Sequence, residues 1–164
     1  MEYHELVDPD LARHVEKEVT EARLEEDGTV VFPAGSYWIG DPGYGLDRKN
    51  PDFEQMRLAN RGSRALELNR FGICIGRTVH GDGSYSVHRC NYRKYMGDIF
   101  EFVMVDVYHV DSGTVAIIPA ELINKDQEGG VRVKSAVPFA VAEGKREWLV
   151  YDEVGGDLIL HIQI

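Results

Sequence analysis

The sequence predicts an α+β fold that is mostly antiparallel β, a sandwich or open barrel with an N-terminal amphipathic helix and a short second helix packed against it. Three observations carry that expectation. Apolar side chains recur at helical spacing near the start of the chain, the apolar period changes to two after residue 70, and short strand-like runs alternate with Gly-containing or acidic turns. With 164 residues, 43% of them hydrophobic, the chain is long enough to bury a core and is expected to form a single domain over 1–164. Within it, a helix over about 9–26 precedes a β-rich body over about 28–164.

The stretch DPDLARHVEKEVTEARLEEDG opens with Asp8 as N-cap and Pro9 at the first helical position, where a missing N–H costs nothing. Leu11, Val15, Val19 and Ala22 then share one narrow stripe, and Gly28 lies beyond the end. That stripe is expected to cover the sheet; docking a partner is the other use of such a surface. Asp41-Pro42-Gly43 reads as a type II turn, with proline second and glycine third. A short helix is expected from Asn50 and Pro51, with Phe53 and Met56 as its buried face, ending near Gly62.

The stretch FGICIGRTVHGDGSYSVHRCNY reads as a hairpin closed by Gly81-Asp82-Gly83. That register sets Cys74 against Cys90 and places Arg77 and Arg89 diagonally on one largely apolar face. In DIFEFVMVDVYHV the acids Glu101 and Asp106 would fall on opposite faces of one long strand, which a bulge or a sharp bend reconciles. GTVAII and REWLVY add shorter strands. VRVKSAVPFAV places Val131, Val133, Val137, Phe139 and Val141 on one face of a strand that Pro138 marks as an edge or as bulged. DLILHIQI, with the same alternation, is expected to be the last strand. Edge strands of this kind give a route to homo-oligomers.

Composition removes several function classes. Two cysteines are too few for a disulfide scaffold and lack zinc-site spacing, so both are expected to be reduced. A net charge of −10 argues against a nucleic-acid polymer as partner. No apolar run is long enough to span a membrane and MEYHELVDPD is not a secretory signal, which makes the cytoplasm the default location. His80 and His88 would lie roughly 13 Å apart along the hairpin at about 3.3 Å per residue, too far for one ion, so no metal is expected. The GDPGYG string lacks the Gly-Lys-Ser/Thr and helix start of a phosphate loop and the Rossmann spacing, and no cofactor is expected.

The charge is unevenly placed. Residues 1–60 carry 6 basic and 14 acidic side chains, 61–95 carry 7 and 2, and 96–164 carry 5 and 12. A basic island in an acidic chain either pairs with its own neighbours or receives a small anion. Tyr37, Trp38 and Tyr44 around Asp41 are either core aromatics or a platform on which a ring stacks. The expected function is therefore non-enzymatic binding of an anionic, ring-containing, nucleotide-like small molecule through Tyr37, Trp38, Asp41, Tyr44, Arg77 and Arg89. One alternative is a small hydrolase using Asp41, His80, Asp82 and Asp111 for acid–base chemistry. Another is an acidic protein inhibitor whose surface is the N-terminal helix and the acidic C-terminal third.

SYWIGDPGYGL, HGDGSYSV and VDSGTVAIIPAELI, in that order over roughly residues 35–124, resemble a family of small β-rich phage and bacterial proteins without an established activity. Its hallmark is a Tyr-Trp-x-Gly-Asp-Pro-Cys-Tyr string followed by a Gly-Asp-Gly tip and an Asp-x-Gly strand start. Gly43 stands where that family carries cysteine, so no thiol chemistry is expected there. If the family's phage association holds for this chain, the expected location is the host cytoplasm and one hypothesis is a counter-defence role in sequestering a nucleotide signal.

Overall fold

A computed structural model describes residues 18–56, 66–78, 81–93, 99–111, 113–123, 129–135, 138–142, 147–152 and 157–161. The described chain is mostly antiparallel β, with two short helices. Its strands are β1 (Arg23–Leu24), β2 (Val30–Phe32), β3 (Gly35–Gly40), β4 (Glu67–Leu68), β5 (Cys74–Arg77) and β6 (Gly83–Arg93), followed by β7 (Ile99–Val110), β8 (Thr114–Pro119), β9 (Val131–Ser135), β10 (Phe139–Val141), β11 (Glu147–Asp152) and β12 (Asp157–His161). Helix α1 is Pro42–Gly45 and α2 is Phe53–Met56. Among the described residues the strands form three sheets, ordered β1-β2-β10, β11-β12-β6-β7 and β4-β5-β8-β3-β9.

One core joins all three sheets. Val30, Phe32, Phe139 and Val141 come from the first, Tyr85, Tyr108 and Val110 from the second, and Tyr37, Ile39, Cys74, Val115, Ile117 and Val131 from the third. Phe32 stacks on Phe139 at 4.9 Å between ring centroids, with Tyr37 edge-on to both at 5.4 and 5.1 Å, which satisfies the ring quadrupoles. Because side chains alternate across a strand, Trp38, Ile73, Ile75, Ala116 and Ile118 face the other side of the five-stranded sheet. There Leu46, Met56 and the half-buried Phe53 cover them.

Several sequence expectations are corrected. The first half of the predicted helix over 9–26, residues 9–17, lies outside the described residues, and the second half, 18–26, is not helical. Arg23 and Leu24 pair with Val31 and Val30 across a tight turn in which Glu25 N–H bonds Thr29 O at 2.8 Å. Val19 is buried against Val31 and Ala140, covering the outer face of the three-stranded sheet. The second helix begins at Phe53; Asn50 caps the turn before it, its side chain accepting from Asp52 N at 2.9 Å. Asp41-Pro42-Gly43 opens a helical turn instead of a type II turn, because the Asp41 carboxylate accepts from Gly43 N at 2.8 Å and Pro42 takes the first helical position.

The predicted hairpin is not formed. β5 pairs with β4 and β8, whereas β6 pairs with β7 and β12, so Cys74 lies opposite Ile117 and Cys90 opposite Phe102 in a different sheet. Thr78 explains the divergence: its N–H bonds Gly113 O at 3.0 Å, so the chain leaves β5 held by the β7–β8 bend. Gly81, at φ +75°, then turns the chain into the other sheet. The expected single strand over 131–141 is likewise two strands, β9 in the five-stranded sheet and β10 in the three-stranded one, with Pro138 at the break. β7 does contain a bulge between the two acids. Val87 faces Asp106 and His88 faces Met104, leaving Val105 unopposed.

Trp38 sets the tightest packing. Its indole lies over Gly40, Gly45 and Gly130; a Cβ on Gly40 would sit 2.6 Å from Cη2, and one on Gly45 or Gly130 would overlap the ring outright. Gly45→Ala and Gly130→Ala should therefore each lower unfolding free energy by about 2–3 kcal/mol in denaturant titration. At Gly28 no atom lies within 4 Å of an added Cβ and the strain is that of φ +89° alone, so Gly28→Ala should cost less, about 1 kcal/mol. Burial pushes the Cys74 thiol well above its ordinary range. Cys74 should resist a water-soluble thiol reagent in the native protein and react once it unfolds, read as reagent uptake at Cys74 by peptide mass.

Candidate functional site

Strand β3 runs between two constructed regions, a cleft at its start and a hydrogen-bonded corner at its end. The cleft, of about 530 Å³, is lined by residues 32–37, 69–72 and 119, with Glu21, Ala22 and Glu121 on its margin. Asn69 shapes one wall. Its Oδ1 accepts from Phe71 N at 2.9 Å and Ile73 N at 3.1 Å, while its Nδ2 donates to Met56 O at 3.0 Å. The turn is completed by Gly72 at φ +80°, whose added Cβ would lie 3.7 Å from Pro119. It presents Phe71 to the cleft with the Arg70 guanidinium 4.6 Å above the ring centroid. Arg70 also bonds Gln55 and lies 3.7 Å from Asp52, yet 68% of its side chain is exposed, so several of its donors still face solvent.

Tyr37 forms the floor. Its hydroxyl donates to Pro33 O at 2.7 Å, and burial, with the Glu121 carboxylate adding to it, pushes the phenol up to about 12. At the other end of β3, Asp41 joins two loops: one carboxylate oxygen caps α1, and the other accepts from Asp111 N at 2.8 Å. Tyr44, 42% exposed, donates its hydroxyl to the Asp111 carboxylate. Hydrogen bonds to an ionised carboxylate are worth about 1.5–3 kcal/mol each, so Asp41 fastens α1 to the β7–β8 bend.

The predicted site residues therefore divide. Asp41, Tyr44 and Asp111 meet directly. Asp82 borders the same bend, its carboxylate 3.8 Å from where a Gly113 Cβ would stand. Tyr37 lines the cleft, at the opposite end of β3. Trp38 is 1% exposed and presents no ring face to a ligand. Arg77, exposed at the end of β5, pairs with Thr114, whereas Arg89 pairs with Val103 and Ile159 in another sheet, so the two arginines are not brought together. His80 lies outside the described residues. Of the surface of the inhibitor reading, residues 9–17 of the helix also lie outside them.

Two constellations were not singled out from sequence. Arg70 and Phe71 were legible as a cation beside an aromatic within the basic island, but their cleft is built from segments far apart in the chain. Ser84 and His109, whose side chains meet at 2.7 Å, are connected by the β6–β7 register and by no local signal. Among the described residues no group of three or more His, Cys, Asp or Glu side chains is placed to hold a metal ion, and no helix is long and apolar enough to cross a membrane. Compared with known proteins, the chain matches no family model, no curated protein and no solved structure.

The raised Tyr37 phenol makes stability pH-dependent. The folded state keeps the group neutral where unfolded tyrosine ionises, so its contribution is intact below about pH 10 and is lost as pH rises towards 12. Denaturant titrations across that range should show a loss to which the buried Cys74 and Tyr108 also contribute, and which is smaller by about 2–3 kcal/mol in Tyr37→Phe.

Proposed function

We propose that this protein binds an anionic, ring-containing small molecule in the cleft between Tyr37 and Phe71, with Arg70 as the anion contact. The observation that carries the reading is the cleft itself: about 530 Å³, with an apolar wall of Phe71, Pro33 and Pro119 and a few polar groups converging on it. That volume lies within the roughly 300–1,000 Å³ that small-molecule sites occupy, and the lining exposes more polar than apolar surface, which suits a charged ligand. A planar guanidinium on an aromatic face suits a phosphate or carboxylate, which it can meet with two parallel N–H bonds. Glu21 and Glu121 complement the other half of such a ligand, since a carboxylate accepts from ring N–H groups and sugar hydroxyls. A nucleotide carries both kinds of group. If the phage resemblance holds, sequestering a nucleotide signal is the role such a cleft would serve.

Calorimetry and thermal shift with a panel of mono- and dinucleotides test the reading. A ligand at about a hundred times its Kd should raise the melting temperature by roughly 5–10 °C. Arg70→Ala should weaken binding at least about tenfold while changing the free protein's stability by under about 0.5 kcal/mol, as expected of an exposed side chain. A panel without binding, or an Arg70→Ala variant that binds as well as the parent, would overturn it.

A further inference from the structure

Away from the cleft, beyond the far end of β3, the β6–β7 ladder sets Ser84 opposite His109 on an exposed face. Ser84 Oγ lies 2.7 Å from His109 Nδ1. We propose that Ser84 and His109 form a nucleophile–base pair that accepts acyl groups from small uncharged or cationic esters. The pair stands on rigid backbone. The next rung, Tyr85 opposite Tyr108, is buried, with rings stacked at 5.6 Å, and Val110 is buried beside it. The backbone that carries His109 is held from a second direction, because its main-chain N–H donates to Gly129 O at 2.9 Å, and Gly129 comes near the His109 side chain. A Cβ there would sit 3.9 Å from His109 Cβ and Cδ2. A nucleophile and base within about 2.6–3.2 Å is the contact through which an imidazole activates a serine hydroxyl.

With the neutral ring protonated at Nε2, Nδ1 accepts the Ser84 proton. Oγ bonds to the ester carbonyl carbon, that proton passes to Nδ1, and the bond from the carbonyl carbon to the leaving oxygen breaks. The departing alkoxide takes the proton; a phenolate leaves as the anion and the imidazolium gives its proton to water. A water molecule, deprotonated by Nδ1, then attacks the acyl-serine and returns Ser84 and the free acid. The exposed carboxylates of Asp111, two residues beyond His109, and Asp82, two before Ser84, disfavour an anionic ester.

The probe is p-nitrophenyl acetate, with acetylation of individual serines in the intact protein read by peptide mass. Ser36 is also exposed and serves as the internal reference. Ser84 should acetylate at least about a hundredfold faster than Ser36, the smaller end of general-base catalysis. His109→Ala should bring Ser84 down to the Ser36 rate, and added imidazole should restore it, which a merely structural role for His109 would not produce. Equal labelling of the two serines, or a Ser84 rate unchanged in His109→Ala, overturns the proposal. Since both serines are read in one molecule, a change in folding cannot imitate the expected result.

Discussion

The space occupied by the Trp38 indole constrains the rest of the five-stranded sheet. Burying a tryptophan removes roughly 200 Å² from water, worth about 5 kcal/mol, but an indole fits between a strand, a helical turn and a neighbouring strand's start only if all three approach without side chains. Gly40, Gly45 and Gly130 meet that condition from three parts of the chain. Once the ring is seated, α1 must lie over the end of β3, which brings Asp41 within reach of the Asp111 amide. The corner is thus a consequence of packing, and the charged hydrogen bonds fix an arrangement that the apolar contact has already selected.

Much of the fold was legible because period-two patterning depends on local sequence alone. β8, β9 and β12 fall within the runs where alternation places them, and Phe53 and Met56 cover the sheet as their spacing implies. Partner choice was less legible. The loop Gly81-Asp82-Gly83 has good hairpin chemistry, but Thr78 bonds to Gly113, and nothing near residue 78 encodes a contact so remote. The same limit applies to the glycines of GDPGYG. They read as turn residues, while part of their role is the room they leave for an indole whose third neighbour, Gly130, lies far downstream. Of the candidate site, Tyr37, Asp41, Tyr44 and Asp111 were found from composition and turn chemistry; the cleft and the Ser84–His109 contact depend on tertiary register.

Cleft and corner are joined by one short strand. β8 covers the distance between them in five residue steps, about 17 Å, with Thr114 beside the corner and Pro119 beside the cleft. Such a strand, buried on both faces from Val115 to Ile118, holds the two regions at a fixed separation, because a close-packed interior has low compressibility and passes strain along.

The partners of β3 have a consequence for the chain as it is made. Ile39 pairs with Ile117 on one side and Val131 on the other, so both edges of β3 stay open until those residues emerge. At about 5–20 residues per second, synthesis of the intervening chain takes roughly 5–20 s, during which an apolar strand with two free edges could join a neighbouring nascent chain. The 14 acidic against 6 basic side chains over residues 1–60 then have a use that precedes folding. Like-charged nascent chains repel, and the repulsion guards β3 while it waits for its neighbours.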